Sequence, residues 1–485
     1  MMLAQRFAIC LALGGSLICS APALAAWETE VLTAAEKNNP LDVNLELTFG
    51  RHQAHGKITR EWVQTAAGEA RATEVKELKY SYAEHRLTIG LRLGLYHNLE
   101  LHVFAPIVIN EDTEIVFDEG VQGRSTIAES PNADDINHVG IPRYPLTGVA
   151  GAEGQRFRSG FGDMVFGLAW SPTVDGKHEA WPTTTLRADI TAPTGSVRDP
   201  TDQAALDKAV RGGIGLGQTV FDLSLGVSKR MGKVTPTLDP YLILGSTIPI
   251  SNPAQQEKGM DAPATGRFVV GTEVLILDEP QEFQRYAIDV SLETRYTAPG
   301  RTYSPLSDYL PNFDQTKVLG NRASPTDRPD EIIYGDFADP RNYASPLEGA
   351  HCGSAVGVPC GELNAVDEYV SMVGTVALFL RFAEFAVLRG GVAMRYDTDH
   401  FITNERVGKD LDPANTTQLC DGAPCAGRVN ARNSFYDRAN DTCPPGQTCD
   451  ERSKYYDPRY DAPGRRLRIE SIADFTFFIS GSATF

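Results

Sequence analysis

The run FTFFISGSATF, from Phe475 to Phe485, constrains the fold more than any other stretch. Phe475, Phe477, Ile479, Gly481, Ala483 and Phe485 share one face at period two, and Asp474, Thr476, Ser480, Ser482 and Thr484 share the other. A half-polar strand at the end of a chain has no later helix or sheet to cover its apolar face. Lipid covers such a face, provided the sheet closes and leaves no backbone edge in hydrocarbon. The expectation is the closing strand of an outer-membrane β-barrel.

The other end agrees. Arg6 precedes an apolar stretch from Phe7 to Cys19, and Ala23-Leu24-Ala25 supplies a small-residue cleavage site. Residues 1–25 therefore read as a signal peptide cut before Ala26. Ile18 stands where a lipoprotein signal needs a small residue, so lipidation of Cys19 is not expected. Residues 26–40 follow as a periplasmic N-terminal tail, fifteen residues being too few for a plug domain. No later run approaches the ~20 consecutive apolar residues of a membrane helix.

Twelve segments alternate at period two. They begin with Leu41–Phe49, 75–95 and Leu99–Ala105, continue through Met164–Trp170, Leu186–Ala192 and Phe221–Ser228, then 234–248, Phe268–Ile276, Ile288–Arg295 and Val370–Leu380, and end with 385–400 and 467–485. Connections after the even-numbered segments are short, and those after the odd-numbered ones are longer. An outer-membrane barrel needs this rule: an even strand count, short periplasmic turns and long outside loops. The predicted fold is all-β, an antiparallel transmembrane barrel over residues 41–485 with about twelve strands, ten or fourteen being tolerable. Long external loops are expected near 110–159, 301–364 and 404–464. A soluble sandwich would bury apolar faces in pairs and would need neither the terminal aromatic strand nor the loop rule.

The formal net charge of −18 argues against nucleic acid as a partner. The expected surroundings are outer-membrane lipid and lipopolysaccharide, with barrel-assembly machinery engaging the Phe485 terminus and the chain acting as a monomer. Six mature cysteines form three close pairs in the last two outside loops: Cys352 with Cys360, Cys420 with Cys425, and Cys443 with Cys449. In an exported chain such pairs read as disulfides; zinc is the rival, but no histidine lies inside any pair. Local and crossed connectivity both remain open.

With apolar alternates facing lipid, the intervening residues face the lumen: Arg92, Glu100, His102, Asp163, Arg187, Asp189, Asp222, Arg267, Glu273, Asp289, Glu293, Arg295 and Arg395, with Glu470 and Asp474. They can brace the barrel as ion pairs or line a path for a small-molecule solute. Gly90, Gly94, Gly162, Gly167 and Gly226 fall on the same face and leave room for larger neighbours. His52 and His55 are placed in the first outside loop, and His400 beside Asp397 and Asp399 at the outer end of the eleventh segment.

The stretches LTIGLRLGLYHNLELHVFAPIVI, SGFGDMVFGLAW, LRADITAPTGSV and LGQTVFDLSLGVSKRMG span about 87–250. In this order they resemble outer-membrane transporters of the meta-cleavage (MetA-pathway) phenol-degradation type. The resemblance implies a barrel concerned with small hydrophobic or aromatic compounds. Its motif pieces are Gly160-x-Gly162-Asp163, Ala192 to Gly195 and Gly226 to Arg230; the cysteine-rich loops depart from the usual pattern. The chain is therefore expected to be a channel or transporter for passive passage of small solutes, without cofactor, metal or catalytic residues. The alternative is a non-conducting structural or receptor barrel acting through its external loops. An enzyme ranks third, since the His-x-Ser-Asn pattern of outer-membrane phospholipases does not occur.

Overall fold

The computed structural model describes residues 26–32, 41–66, 69–95, 98–118, 155–175, 181–231, 237–279, 282–310, 361–383, 385–405, 461 and 466–485. Each alternating segment forms one strand of a barrel. The first six strands are β1 (Leu41–Ala66), β2 (Glu69–Leu95), β3 (Leu99–Phe117), β4 (Met164–Thr173), β5 (Thr183–Ala192) and β6 (Gln218–Ser228). The second six are β7 (Thr237–Ser251), β8 (Thr265–Glu279), β9 (Gln284–Thr297), β10 (Tyr369–Ala383), β11 (Ala386–Asp397) and β12 (Leu467–Thr484). All neighbours pair antiparallel in chain order, and β12 pairs back onto β1 from Asn44↔Thr484 to Arg60↔Leu467. The seam reaches the last residue, where Val43 and Phe485 exchange backbone hydrogen bonds of 3.1 and 2.8 Å. Closure at twelve leaves no open edge, as a membrane-spanning sheet requires.

The outward wall is apolar. Leu45, Leu47, Leu223, Leu244, Leu292, Val376, Val392, Phe475 and Phe477 are all exposed. No helix among the described residues is long and apolar enough to cross a membrane; in a barrel the crossing elements are strands. In the run YLILG, residues 241–245 of β7, Leu242 and Leu244 face out, while Tyr241 and Ile243 pack inside against Ala26 and Val269.

The outer end differs from expectation. The pairing of β1 with β2 continues past Phe49 as far as Ala66↔Glu69, making a long hairpin where a loop is expected. His52 and His55 are therefore strand residues, and His52 Nε2 lies 2.5 Å from Asp474 Oδ1. Of the loop expected near 110–159, residues 110–117 continue β3, and a short strand, Gln155–Phe161, pairs with them. Residues 300–302 pair with 364–366 in a separate ribbon, and Leu306, Tyr309 and Leu310 pack on Ile58, Leu78, Ile115 and Ile469. This apolar cluster sits among the outer parts of β1, β2, β3 and β12.

Residues 33–40 of the expected tail and most of the loops expected near 110–159, 301–364 and 404–464 lie outside the described residues, and two further expectations fall there whole. One is the signal peptide, residues 1–25. The other is the set of three disulfides: Cys352, Cys360, Cys420, Cys425, Cys443 and Cys449 all lie outside the described residues, so the fold neither pairs them nor separates them.

Candidate functional site in the lumen

The inward face is a ladder of charges bonded from strand to strand. Arg92 on β2 donates to both oxygens of Glu100 on β3, at 3.0 and 2.7 Å. His102 Nδ1 lies 3.1 Å from Glu100, and its Nε2 lies 2.8 Å from Asp189 on β5. That last contact passes over β4 at Gly167, which is cross-strand to both His102 and Asp189. A Cβ on Gly167 would stand 2.1 Å from Asp189 Oδ1 and 2.2 Å from His102 Nε2, so the glycine makes the bridge possible.

The same device recurs farther round. Arg267 on β8 reaches Asp222 on β6 at 3.1 Å across Gly245 of β7, and Thr247 donates to Asp222 at 2.6 Å. Tyr241 crosses Gly271 to donate to Asp289 at 2.9 Å. Arg285 donates to Glu273 at 2.8 Å, both side chains being 1% exposed. Arg295 pairs with Glu293 at 2.6 Å, and Arg395 stands 3.3 Å from both Asp397 and Asp474.

Two of the candidate residues behave differently. Asp163 belongs to the outer rim, where its carboxylate accepts from the Gly195 and Leu216 backbone amides at 2.9 and 3.0 Å and fastens a loop. It precedes β4, so the strand alternation does not govern its direction. Arg187 lies on the inward parity of β5 opposite Ala169 and Ser224, with no ion pair among the described residues. Glu470, on β12, accepts from Thr59 at 2.9 Å and pairs with Arg468 near the outer end. His400 stacks on Tyr369 with ring centroids 4.1 Å apart, and its Nδ1 lies 2.8 Å from the Thr398 carbonyl. Burial there holds its pKa below the ordinary histidine value, against the opposing pull of that carbonyl and of Asp397, Asp367 and Asp399.

The expected periplasmic tail includes Ala26–Leu32, and the structure seats these residues inside the base, the end that carries the short turns. Thr29, in the 3-10 turn Trp27–Thr29, is wholly buried. Its hydroxyl lies 2.7 Å from Ser228 Oγ, and its carbonyl accepts from Thr185 at 2.6 Å. Gly226 lies directly beneath it; a Cβ there would meet the Thr29 methyl at 3.0 Å. The Trp27 amide donates to Glu273 at 3.0 Å and the Leu32 amide to Glu100 at 2.7 Å. The Trp27 ring rests 5.1 Å from Phe379, Glu28 accepts from Arg389 at 2.6 Å, and Glu30 meets Arg381 at 3.5 Å. This strap thus touches β3, β5, β6, β8, β10 and β11, which lie on opposite sides of the lumen. Arg285, Arg381 and Arg389 escape the reading from alternation, although the odd-numbered inward parity of Glu293 and Arg395 extends to all three.

No protein-family model and no curated protein sequence matches this chain. Similar solved structures include an outer membrane channel from Pseudomonas putida F1, at 9% identity and a TM-score of 0.33 over 90% of this chain and 95% of that one. The outer membrane protease OmpT from Escherichia coli follows at 6% and 0.28, over 94% and 100%. The TodX monoaromatic hydrocarbon channel, as its deltaS2 mutant, stands at 8% and 0.27, over 92% and 90%. Channels and a protease sit at the same level of likeness, so the chemistry must come from this chain's own residues.

Proposed function

We propose that this protein is an outer-membrane channel of a Gram-negative bacterium for passive passage of small solutes, of the meta-cleavage phenol-degradation transporter type that its motifs resemble. One observation carries the reading: a closed barrel with an apolar exterior has an inward face of alternating acids and arginines, which only water or mutual pairing can satisfy. Most of these charges pair between adjacent or next-adjacent strands, which braces the wall without bridging the lumen. Passage by diffusion uses no catalytic group. Both ring nitrogens of the buried His102 already face carboxylates, leaving neither for a nucleophile.

A specific observation favours a second reading, the receptor barrel: Leu306, Tyr309 and Leu310 are nearly inaccessible in the outer-end cluster. Single-channel recording of refolded protein in planar bilayers separates the two readings. Discrete ion-conducting steps support the channel, and a change on adding reductant would place disulfide-stapled loops at the constriction. Silence from a correctly folded barrel overturns the channel and leaves the receptor.

A further inference from the structure

The strap meets the wall as a ligand would. We propose that the base of the lumen is a binding site for a small carboxylate-bearing solute with an aromatic body, and that Ala26–Leu32 occupies this site as an internal stand-in which the solute displaces. The inference rests on the channel reading for the solute's route, and on the wall chemistry for its identity.

The wall comes first. Arg285 on β9 and Arg381 on β10 are directly cross-strand, and Phe379 on β10 is cross-strand to Arg389 on β11. All are inward; the Arg285 guanidinium lies 5.4 Å from the centre of the Phe379 ring, and that of Arg389 lies 5.3 Å from the centre of the Phe478 ring. Like charges placed opposite each other on a sheet repel, and the arrangement persists only with anions among them. Glu273 serves Arg285. The strap supplies a carboxylate to each of the other two, Glu28 to Arg389 and Glu30 to Arg381. Without the strap, Arg389 keeps Asp289 at 3.5 Å, and Arg381 has no carboxylate among the described residues.

The strap supplies two kinds of group here: carboxylates to the arginines and one aromatic ring, that of Trp27, to Phe379. An aromatic carboxylate offers both in one small molecule. The stand-in also fits imperfectly. The Glu30–Arg381 contact is 3.5 Å long, and both Glu30 Oε2 and Arg381 Nε are buried without a hydrogen-bond partner among the described residues. A free carboxylate can approach the guanidinium fork edge-on and satisfy two of its N–H groups together, which a side chain tethered through the strap backbone does not achieve. A solute that improves on this contact has a reason to replace it, and replacement removes the strap from the lumen.

The test uses benzoate as probe, with benzyl alcohol as its uncharged match, against refolded protein in detergent by titration calorimetry. Wild type is compared with Glu28→Gln/Glu30→Gln, with Trp27→Ala, which weakens the strap and leaves the wall intact, and with Arg381→Gln/Arg389→Gln. A site shielded by its own strap binds with an affinity reduced by the fraction of time it stands free. Both strap variants are therefore expected to bind benzoate roughly tenfold or more tightly than wild type. The arginine variant is expected to lose benzoate binding by a similar factor while leaving benzyl alcohol binding unchanged. Equal benzoate affinity in all four proteins, or no binding by wild type and either strap variant, overturns the proposal. Conductance of the same proteins keeps the two readings apart. Conducting steps with arginine-independent benzoate binding sink the site and spare the channel; arginine-dependent binding in a silent barrel does the reverse.

Discussion

Glu100 is the most heavily used group on the inner wall, and replacing it with Gln tests whether the ladder braces the barrel. Its carboxylate, 1% exposed, takes both donors of Arg92, the Leu32 amide and His102. Glutamine keeps the volume but removes the charge and turns one acceptor into a donor aimed at Arg92. Removing one member of a buried pair costs about 3–5 kcal/mol, because the other is left buried and uncompensated. Arg92 is 12% exposed, which lets some water reach it and sets the expectation at the low end, near 3 kcal/mol. The double variant Arg92→Gln/Glu100→Gln removes both charges, so it should recover about 1–2 kcal/mol of that loss. The assay is urea unfolding of refolded protein in lipid vesicles, with slopes compared so that stability and compactness are separated. A single-variant loss below about 1 kcal/mol, or a double variant equal to the sum of the two singles, would refute the bracing argument.

Three further outcomes are expected. Leu223→Arg sets a charge on the lipid face of β6 and should cost about 2–4 kcal/mol near mid-membrane, whereas Ser224→Arg, one residue on and facing in, should cost less than half as much in the same unfolding assay. Gly167→Ala places a methyl where His102 and Asp189 meet; the bridge should break with a loss of about 1–3 kcal/mol, and the bonded His102 ring N–H should vanish from the proton NMR spectrum. His400 carries a pH response. Because its folded pKa is lowered, the unfolded chain binds more protons below about 6.5, so local stability is complete above that value and falls as pH drops through it. The Ile402 and Asp367 amides, which donate to Leu467 and Phe401 at 2.9 and 2.8 Å, should lose hydrogen-exchange protection at pH near 5 relative to pH near 8, beyond the intrinsic rate change. Unchanged protection, or a His400 titration midpoint at or above the ordinary value, would contradict the burial argument.

The sequence made the barrel legible because lipid and lumen impose opposite demands on successive residues, and twelve separate segments carry that signature. It read poorly where a single demand ceased to hold. Past Phe49, β1 loses its strict alternation, so residues 50–74 read as a loop although they pair as a hairpin. Asp163 obeys a turn and not a strand. The strap lacks any period: WET is a single 3-10 turn, and its partners run from Glu100 to Arg389 along the chain. Yet it left a trace in the strands. Tyr241, Ile243, Val269, Leu275 and Phe379 all point inward, against the rule that the lumen face is polar. An apolar side chain facing a water-filled channel gains nothing from burial, so each such exception needs a dry neighbour. Tyr241 and Val269 have Ala26, and Phe379 has Trp27. In a closed barrel the alternation reports the lipid, and the inward apolar exceptions report what fills the lumen.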